Sequence, residues 1–117
     1  MERDRPPEIS EIRQRVLAAF REGQLSSYER PTPTGSALQI LALAKAEMER
    51  WLETNGETAD ALRLFSLILE SLTQYASAIN ILERLSASGY ARRDDLKRLA
   101  RCRISLRESV SKAEESR

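Results

Sequence analysis

Apolar residues recur at intervals of three and four along most of this chain, which is the spacing of one face of an α-helix. Between residues 62 and 72 they are so dense that the strict alternation of a half-exposed β-strand is excluded. The stretch is apolar over most of its circumference, and Arg63, Glu70 and Ser71 mark a narrow polar side that should face solvent. Such a helix must be covered on more than one side, so we expect it at the centre of the fold.

A second helix is predicted directly after it. Polar residues 73–75 interrupt the pattern, and apolar positions resume over residues 76–85. Thr58 is a suitable N-cap for the first helix, and Gly89 can end the second in the left-handed conformation. Because the connection is short, the two helices should run antiparallel and pack side by side.

This pair resembles the helical hairpin of tetratricopeptide repeats. Large and small residues follow the family's order at Leu62, Phe65, Ser66, Leu69, Ala78 and Leu82. The chain departs from it at Thr73, Leu85 and Tyr90, where the family often has a glycine, a small residue and a proline. The resemblance implies stacked helical hairpins that bind proteins. A generic hairpin in a helix bundle is the alternative.

The resemblance extends over residues 57–106 through an echo at the family's period of about 34 residues. Three positions keep their size across this step: Leu62, Phe65 and Ser66 become Leu96, Leu99 and Ala100. Leu69, however, becomes Arg103, and a helix with a polar outer face is what a capping unit requires. In a rival register, residues 55–65 would be the turn and second helix of an earlier repeat. That register lacks the echo.

Three more helices follow from the periodicity. Residues 8–22 place Ile9, Ile12, Val16, Ala19 and Phe20 on one face, and Gly23 closes the helix. Residues 36–55 begin at Ser36 as N-cap. This helix should enter the core at its apolar first half and emerge at its amphipathic second half, where Trp51 is partly buried. Residues 91–115 carry an apolar stripe formed by Leu96, Leu99, Leu106 and Val110.

The expected fold is therefore all-α, with about five helices in antiparallel hairpins, stacked like tetratricopeptide repeats or closed into a bundle. The chain's 117 residues suit one domain. That domain covers residues 8–115, after a flexible N-terminus at residues 1–7. Prolines keep residues 24–35 out of a helix, as a tether or a docked loop.

The composition argues against catalysis and against a cofactor or metal site. The chain has no histidine, one cysteine (Cys102) and no glycine-rich phosphate loop. We therefore expect no enzyme activity, catalytic residue, cofactor or metal site. Cys102 should be a small buried residue, and a single cysteine favours the reducing cytoplasm. No apolar run is long enough for a membrane span, and the N-terminus lacks an apolar signal core.

Charge is uneven along the chain despite a net charge of +1. Residues 92–107 hold seven basic and two acidic side chains, and Asp94 and Asp95 should serve the dipole of the last helix. Candidate partner-binding residues are Arg92, Lys97, Arg98, Arg101, Arg103 and Arg107. The first four should cover the arc opposite the apolar stripe, and the last two should lie within or beside it.

The leading interpretation is a non-enzymatic protein–protein interaction module, either a helical-repeat-like adaptor or a small subunit of a larger assembly. Five helices leave part of the apolar surface uncovered, and a protein partner or a second copy would close it. The alternative is nucleic-acid binding by the basic last helix, which should weaken steeply with salt. The near-neutral net charge and the lack of aromatic residues among the basic ones argue against it.

Overall fold

The computed structural model describes residues 8–21 and 35–115, and these residues form five α-helices and no β-strand. The helices are α1 (Ile9–Arg21), α2 (Gly35–Asn55), α3 (Ala59–Ser71), α4 (Tyr75–Ala87) and α5 (Arg93–Glu115). The all-α prediction and the number of helices are confirmed. The expected flexible N-terminus, the Gly23 stop and the loop up to residue 34 lie outside the described residues.

Each helix packs against the next one in the chain, and α1 also contacts α3. The core lies in two clusters on either side of α3. The first joins α3 to α1 and α2 through Ile12, Val16, Leu41, Ala44, Met48, Ala61, Leu64, Leu67 and Ile68. The second joins α3 to α4 and α5 through Leu62, Leu69, Ala78, Ile81, Leu82, Leu85, Leu99 and Cys102. The central helix is thus covered on more than one side, as predicted.

Local chemistry sets the ends of α3. The Thr58 hydroxyl caps its start by accepting from the backbone N–H of Ala61 at 3.2 Å. At its end, the Thr73 N–H donates to the Glu70 carbonyl and the Gln74 N–H to the Leu69 carbonyl, both at 2.9 Å. This pair of bonds is the Schellman motif, and it puts Thr73 in the left-handed region at φ +60°. The chain therefore turns before α4, as predicted.

The predicted stop at Gly89 is also confirmed, and a second glycine ends α2 in the same way. Gly56 follows α2 and Gly89 follows α4, each with φ +84°. Glycine adopts this conformation without the steric cost that a Cβ would bring. At the start of α2, the helix begins at Gly35, so Ser36 lies inside its first turn instead of preceding it as the N-cap.

The prediction that the polar side of α3 faces solvent is wrong for two of its three residues. The side chain of Glu70 is 4% exposed and Ser71 is fully buried. The Ser71 hydroxyl is satisfied within its own helix, because it donates to the Leu67 carbonyl at 2.8 Å. Glu70 is satisfied by arginines of α5, a partner that no pattern within α3 could reveal.

The prediction that α2 enters the core at one end is also wrong. Its buried residues, Leu41, Ala44 and Met48, run along the helix, whereas Leu38 and Leu43 are 44% and 56% exposed. The reason is that α1 and α3 cover one side of α2 only. Trp51 is half-buried against the first cluster, as predicted.

Candidate interaction surface on the last helix

A network of ion pairs fixes the orientation of α5 relative to α3. We call it the α3–α5 ion network; its members are Asp60, Arg63, Glu70, Asp95, Arg98 and Arg101. It contains three carboxylates and three guanidinium groups, so its formal charge is zero. Arginine reaches across the gap between the two helices because its side chain is long and its head group carries five N–H donors.

Glu70 is the buried centre of this network. Arg101 donates to both carboxylate oxygens, from Nε at 2.8 Å and from Nη2 at 2.9 Å. Arg98, itself only 6% exposed, donates from Nε at 3.3 Å. A two-pronged arginine–carboxylate contact has well-defined geometry. Removing the carboxylate would leave the Arg98 charge buried without its closest acidic partner, which is costly.

Ser66 takes part in the same contact. Its hydroxyl accepts from Arg98 Nη2 at 2.9 Å and donates to the Arg63 carbonyl at 2.7 Å. The small side chain therefore holds an arginine of α5 in addition to leaving room between helices.

Asp95 joins the start of α5 to α3. Both of its oxygens accept from Arg63 Nε, at 3.0 and 3.2 Å, and Oδ2 also accepts from the backbone N–H of Arg92 at 2.8 Å. The second contact satisfies a free N–H at the helix start, which is one half of a capping box. Asp95 thus does more than interact with the helix dipole.

Cys102 is fully buried next to this network. Its Sγ lies 3.5 Å from Glu70 Oε2, to which the thiol donates. Burial, together with the neighbouring carboxylate, raises the pKa of the thiol to about 12. The expected small buried residue is confirmed, and at neutral pH it is a protonated thiol.

The six basic residues singled out in the sequence do not share one surface. Arg98 is buried and Arg101 half-buried, both bound to Glu70, so the prediction that they lie on the exposed arc is wrong. Arg103 is exposed and lies 3.6 Å from Glu83 of α4. The other three, Arg92, Lys97 and Arg107, are exposed.

The predicted apolar stripe of α5 needs a matching correction. Leu99 is buried at 7% exposure and Leu106 is half-buried, but Leu96 and Val110 are 48% and 51% exposed. The buried face is instead formed by Asp95, Arg98, Leu99 and Cys102. Ion pairing with α3 turns Asp95 and Arg98 inward. Leu96 and Val110 are thereby turned toward solvent.

This orientation creates an exposed apolar row on α5. It consists of Leu96, Ala100 and Ile104, which are four residues apart and all exposed; we call it the α5 ridge. Helix geometry places Arg93 and Lys97 along one side of the ridge, and Arg103 and Arg107 along the other. Arg93 and Ile104 were not among the sequence candidates, although the four-residue spacing marks the row.

Arg92 lies in a different place from Lys97 and Arg107. It borders a cavity of about 300 Å³ between α1, α3 and the start of α5, lined by Arg13, Leu17, Asp60, Arg63, Leu64, Leu67 and Arg92. A wider groove of about 620 Å³ runs between α2, α3 and α4 and is bordered by Phe65, Leu69 and Ile81. Sequence periodicity gave no indication that Arg13 and Arg63 would approach Arg92.

In residues 8–21 and 35–115, no cluster of three or more histidine, cysteine, aspartate or glutamate side chains is placed to hold a metal ion. None of the described helices combines the length and hydropathy of a membrane span. Comparisons with models of known protein families, with curated proteins and with solved structures found no match.

Proposed function

We propose that this protein is a non-enzymatic protein–protein interaction module, a helical-repeat-like adaptor or a small subunit of a larger assembly. The observation that carries this proposal is the α5 ridge. Leu96 and Ile104 are 48% and 53% exposed and lie about two turns apart on the same face of a helix whose other side is packed. Single exposed apolar residues need no explanation, but a row of them between charged residues is typical of a binding surface.

The packing order supports the repeat-like part of the proposal. Each helix packs on its successor, and α3 also contacts α1, so the helices are stacked in the order in which they follow along the chain. Such stacks bury each new helix against its neighbours and leave an outer face open at the last one. Thr73 adds support, because it stands at the family's glycine position and adopts φ +60°, where glycine is preferred.

The non-enzymatic part of the proposal is supported by the state of the reactive groups. The chain has no histidine to act as a general base. The raised pKa of Cys102 disfavours the thiolate that a nucleophile would need. The buried carboxylates of Glu70 and Asp95 are already paired with arginines. We further propose a cytoplasmic location, because an unpaired thiol suits a reducing compartment.

The proposal is tested by isolating the tagged protein from its native cell and identifying what co-purifies. Each candidate is then mixed with this chain as a purified protein and measured by size-exclusion chromatography with light scattering. We expect a complex of fixed stoichiometry with one of them. A strict monomer that forms no complex with any purified candidate would contradict the proposal.

Nucleic-acid binding is the second candidate, supported by the exposed Arg93, Lys97 and Arg107. It has less support because Arg98 and Arg101 are committed to Glu70. A gel shift with duplex DNA at increasing salt tests it, since phosphate contacts weaken steeply as salt rises. The informative variant is Lys97→Glu with Arg107→Glu, which leaves the α3–α5 ion network intact.

A further inference from the structure

We propose that the α5 ridge binds an acidic amphipathic helix of a partner protein. That helix would lie against α5 in the way that α4 and α5 lie against α3. This inference rests on the proposed interaction function and specifies both the surface and the chemistry of the partner.

The sequence echo between α3 and α5 indicates which kind of structure belongs on the ridge. Leu62 of α3 lies in the second core cluster, among residues of α4 and α5, and is 5% exposed. Its counterpart 34 residues later, Leu96, is 48% exposed. The same helical position is therefore covered by a helix in α3 and uncovered in α5. A helix has the shape that fits this face, as α4 and α5 show for α3.

The length of α5 gives such a helix room to bind. α5 has 23 residues and α4 has 13, which correspond to about 34 and 20 Å at 1.5 Å per residue. The last part of α5 therefore extends beyond the reach of α4, and Val110 in that part is 51% exposed. A partner helix of about six turns could follow the whole outer face.

The charges beside the ridge select an acidic partner. Arg93, Lys97 and Arg107 form no ion pair or side-chain hydrogen bond with the part of the chain that the structure describes. Asp94 is the exposed acidic residue of the first four turns of α5, and the exposed Glu108 lies in the fifth turn. Acidic residues at the flanks of a partner helix would pair with these basic rows, as flanking charges do in coiled coils.

The same charges disfavour two other occupants. A second copy that presented its own α5 would place basic rows opposite each other, which is repulsive. Nucleic acid would leave the aliphatic ridge without a suitable partner, and residues 92–112 contain no aromatic side chain on which a base could stack. An acidic helix satisfies both the apolar row and its basic borders.

The probe is a synthetic peptide of about 28 residues with leucine at the a and d heptad positions and glutamate at the flanking e and g positions. A matched peptide carries lysine in place of each glutamate. Binding is measured by fluorescence anisotropy over a range of salt concentrations. We expect saturable binding of the acidic peptide that weakens as salt rises, and binding of the lysine peptide at least about tenfold weaker.

Two pairs of variants locate the binding surface. Leu96→Ala with Ile104→Ala removes the ridge, and Lys97→Glu with Arg107→Glu reverses its borders. Each change should weaken binding of the acidic peptide about tenfold or more, which follows from lost apolar burial or from reversed charge. The matched controls are on α2: Leu43→Ala, 56% exposed, and Arg50→Glu, also exposed. The controls should leave binding within about twofold, and all variants should keep the wild-type melting curve.

Four results would overturn the inference. Two concern the acidic peptide: equal binding by the wild type and the ridge variants, or no saturable binding up to about 1 mM peptide. The other two show a different occupant: a dimer of this chain that Leu96→Ala dissociates, or binding of duplex DNA that Lys97→Glu abolishes. A native partner provides the distinction from the proposed function. If it binds the Leu96→Ala and Ile104→Ala double variant normally, the interaction function stands and the α5 ridge is the wrong surface.

Discussion

Glu70 is the side chain on which the polar contact between α3 and α5 depends. It lies 4% exposed and receives three hydrogen bonds from Arg98 and Arg101. Its neighbours in the network balance its charge, so the burial of Glu70, Asp95 and Arg98 is tolerated only while they stay paired. Residues of this kind determine how two helices are oriented, even where an apolar pair could be equally stable.

We expect Glu70→Ala to lower the free energy of unfolding by about 3 kcal/mol, because Arg98 would remain buried with the more distant Asp95, at 3.8 Å, as its acidic partner. Urea unfolding followed by circular dichroism measures the change. Glu83→Ala is the control: its contact with Arg103 is exposed at both partners, and its loss should cost less than about 0.5 kcal/mol. Equal effects for the two variants would show that burial adds nothing to the Glu70 contact.

Thr73 is a β-branched residue held at φ +60°. Thr73→Gly should raise the free energy of unfolding by about 0.5–1 kcal/mol, because glycine removes the left-handed strain at a smaller cost in chain entropy. Gly89→Ala should lower it by about 1 kcal/mol through backbone strain alone, since an added Cβ would meet nothing within 4 Å. Thermal unfolding measures both. Stabilisation by Gly89→Ala, or destabilisation by Thr73→Gly, would contradict this account of the two turns.

The thiol of Cys102 gives a pH prediction. Its pKa rises from 9.0 to about 12 on folding, mainly through burial. The folded state thus holds this proton more tightly, so the stabilisation is complete below pH 9 and is lost as the pH rises from 9 toward 12. The stability difference between wild type and Cys102→Ala should therefore be constant from pH 6 to 8 and shrink above about pH 9. A difference that stays constant to pH 11 in urea unfolding would argue against the buried, proton-holding thiol.

At the scale of elements, the hairpin of α3 and α4 is the unit that local pattern predicts best. Its caps, its turn and the inward face of α4 all follow from residues close in sequence. The outward and inward faces of α5 do not, because ion pairs with residues about 30 positions away orient that helix. Apolar spacing alone cannot show that those ion pairs outweigh the burial of Leu96 and Val110.

Ala78 tests how tightly the hairpin packs. It is fully buried in the second core cluster. Ala78→Leu should lower the free energy of unfolding by about 1–3 kcal/mol, because the larger side chain overfills the contact between helices. Ala76→Leu, an exposed position of the same helix, is the matched control and should change it by less than about 0.5 kcal/mol. A neutral Ala78→Leu would mean that the helices separate easily.

At the scale of the whole molecule, α3 is shared by both core clusters while α5 is packed on one side. This arrangement predicts a gradient of local stability. In hydrogen exchange, the amides of residues 64–68 should be the slowest, and those of residues 107–112 the fastest within helices α2–α5. The physical reason is that opening α3 disrupts two clusters, whereas opening the last turns of α5 disrupts neither. Uniform exchange along α5 would show that its exposed part is held by contacts absent from this arrangement.

Some features of this protein are determined by the sequence alone. The ends of the helices depend on capping hydroxyls and glycines such as Thr58, Gly56 and Gly89, which act on backbone groups a few residues away. The central position of α3 follows from the amount of apolar surface it must bury. For these features, the physical cause and its effect lie within one short stretch of chain, so the pattern of residues in the sequence predicts them.

The candidate surface was decided only by tertiary structure. Arg98 and Glu70 are 28 positions apart, and nothing near either residue shows that one will neutralise the other. Once they pair, the rotation of α5 about its axis follows, and with it the exposure of Leu96 and Ile104. Pairing between distant charges depends on where the backbone brings them, so the exposed apolar row on α5 is visible only in the folded chain.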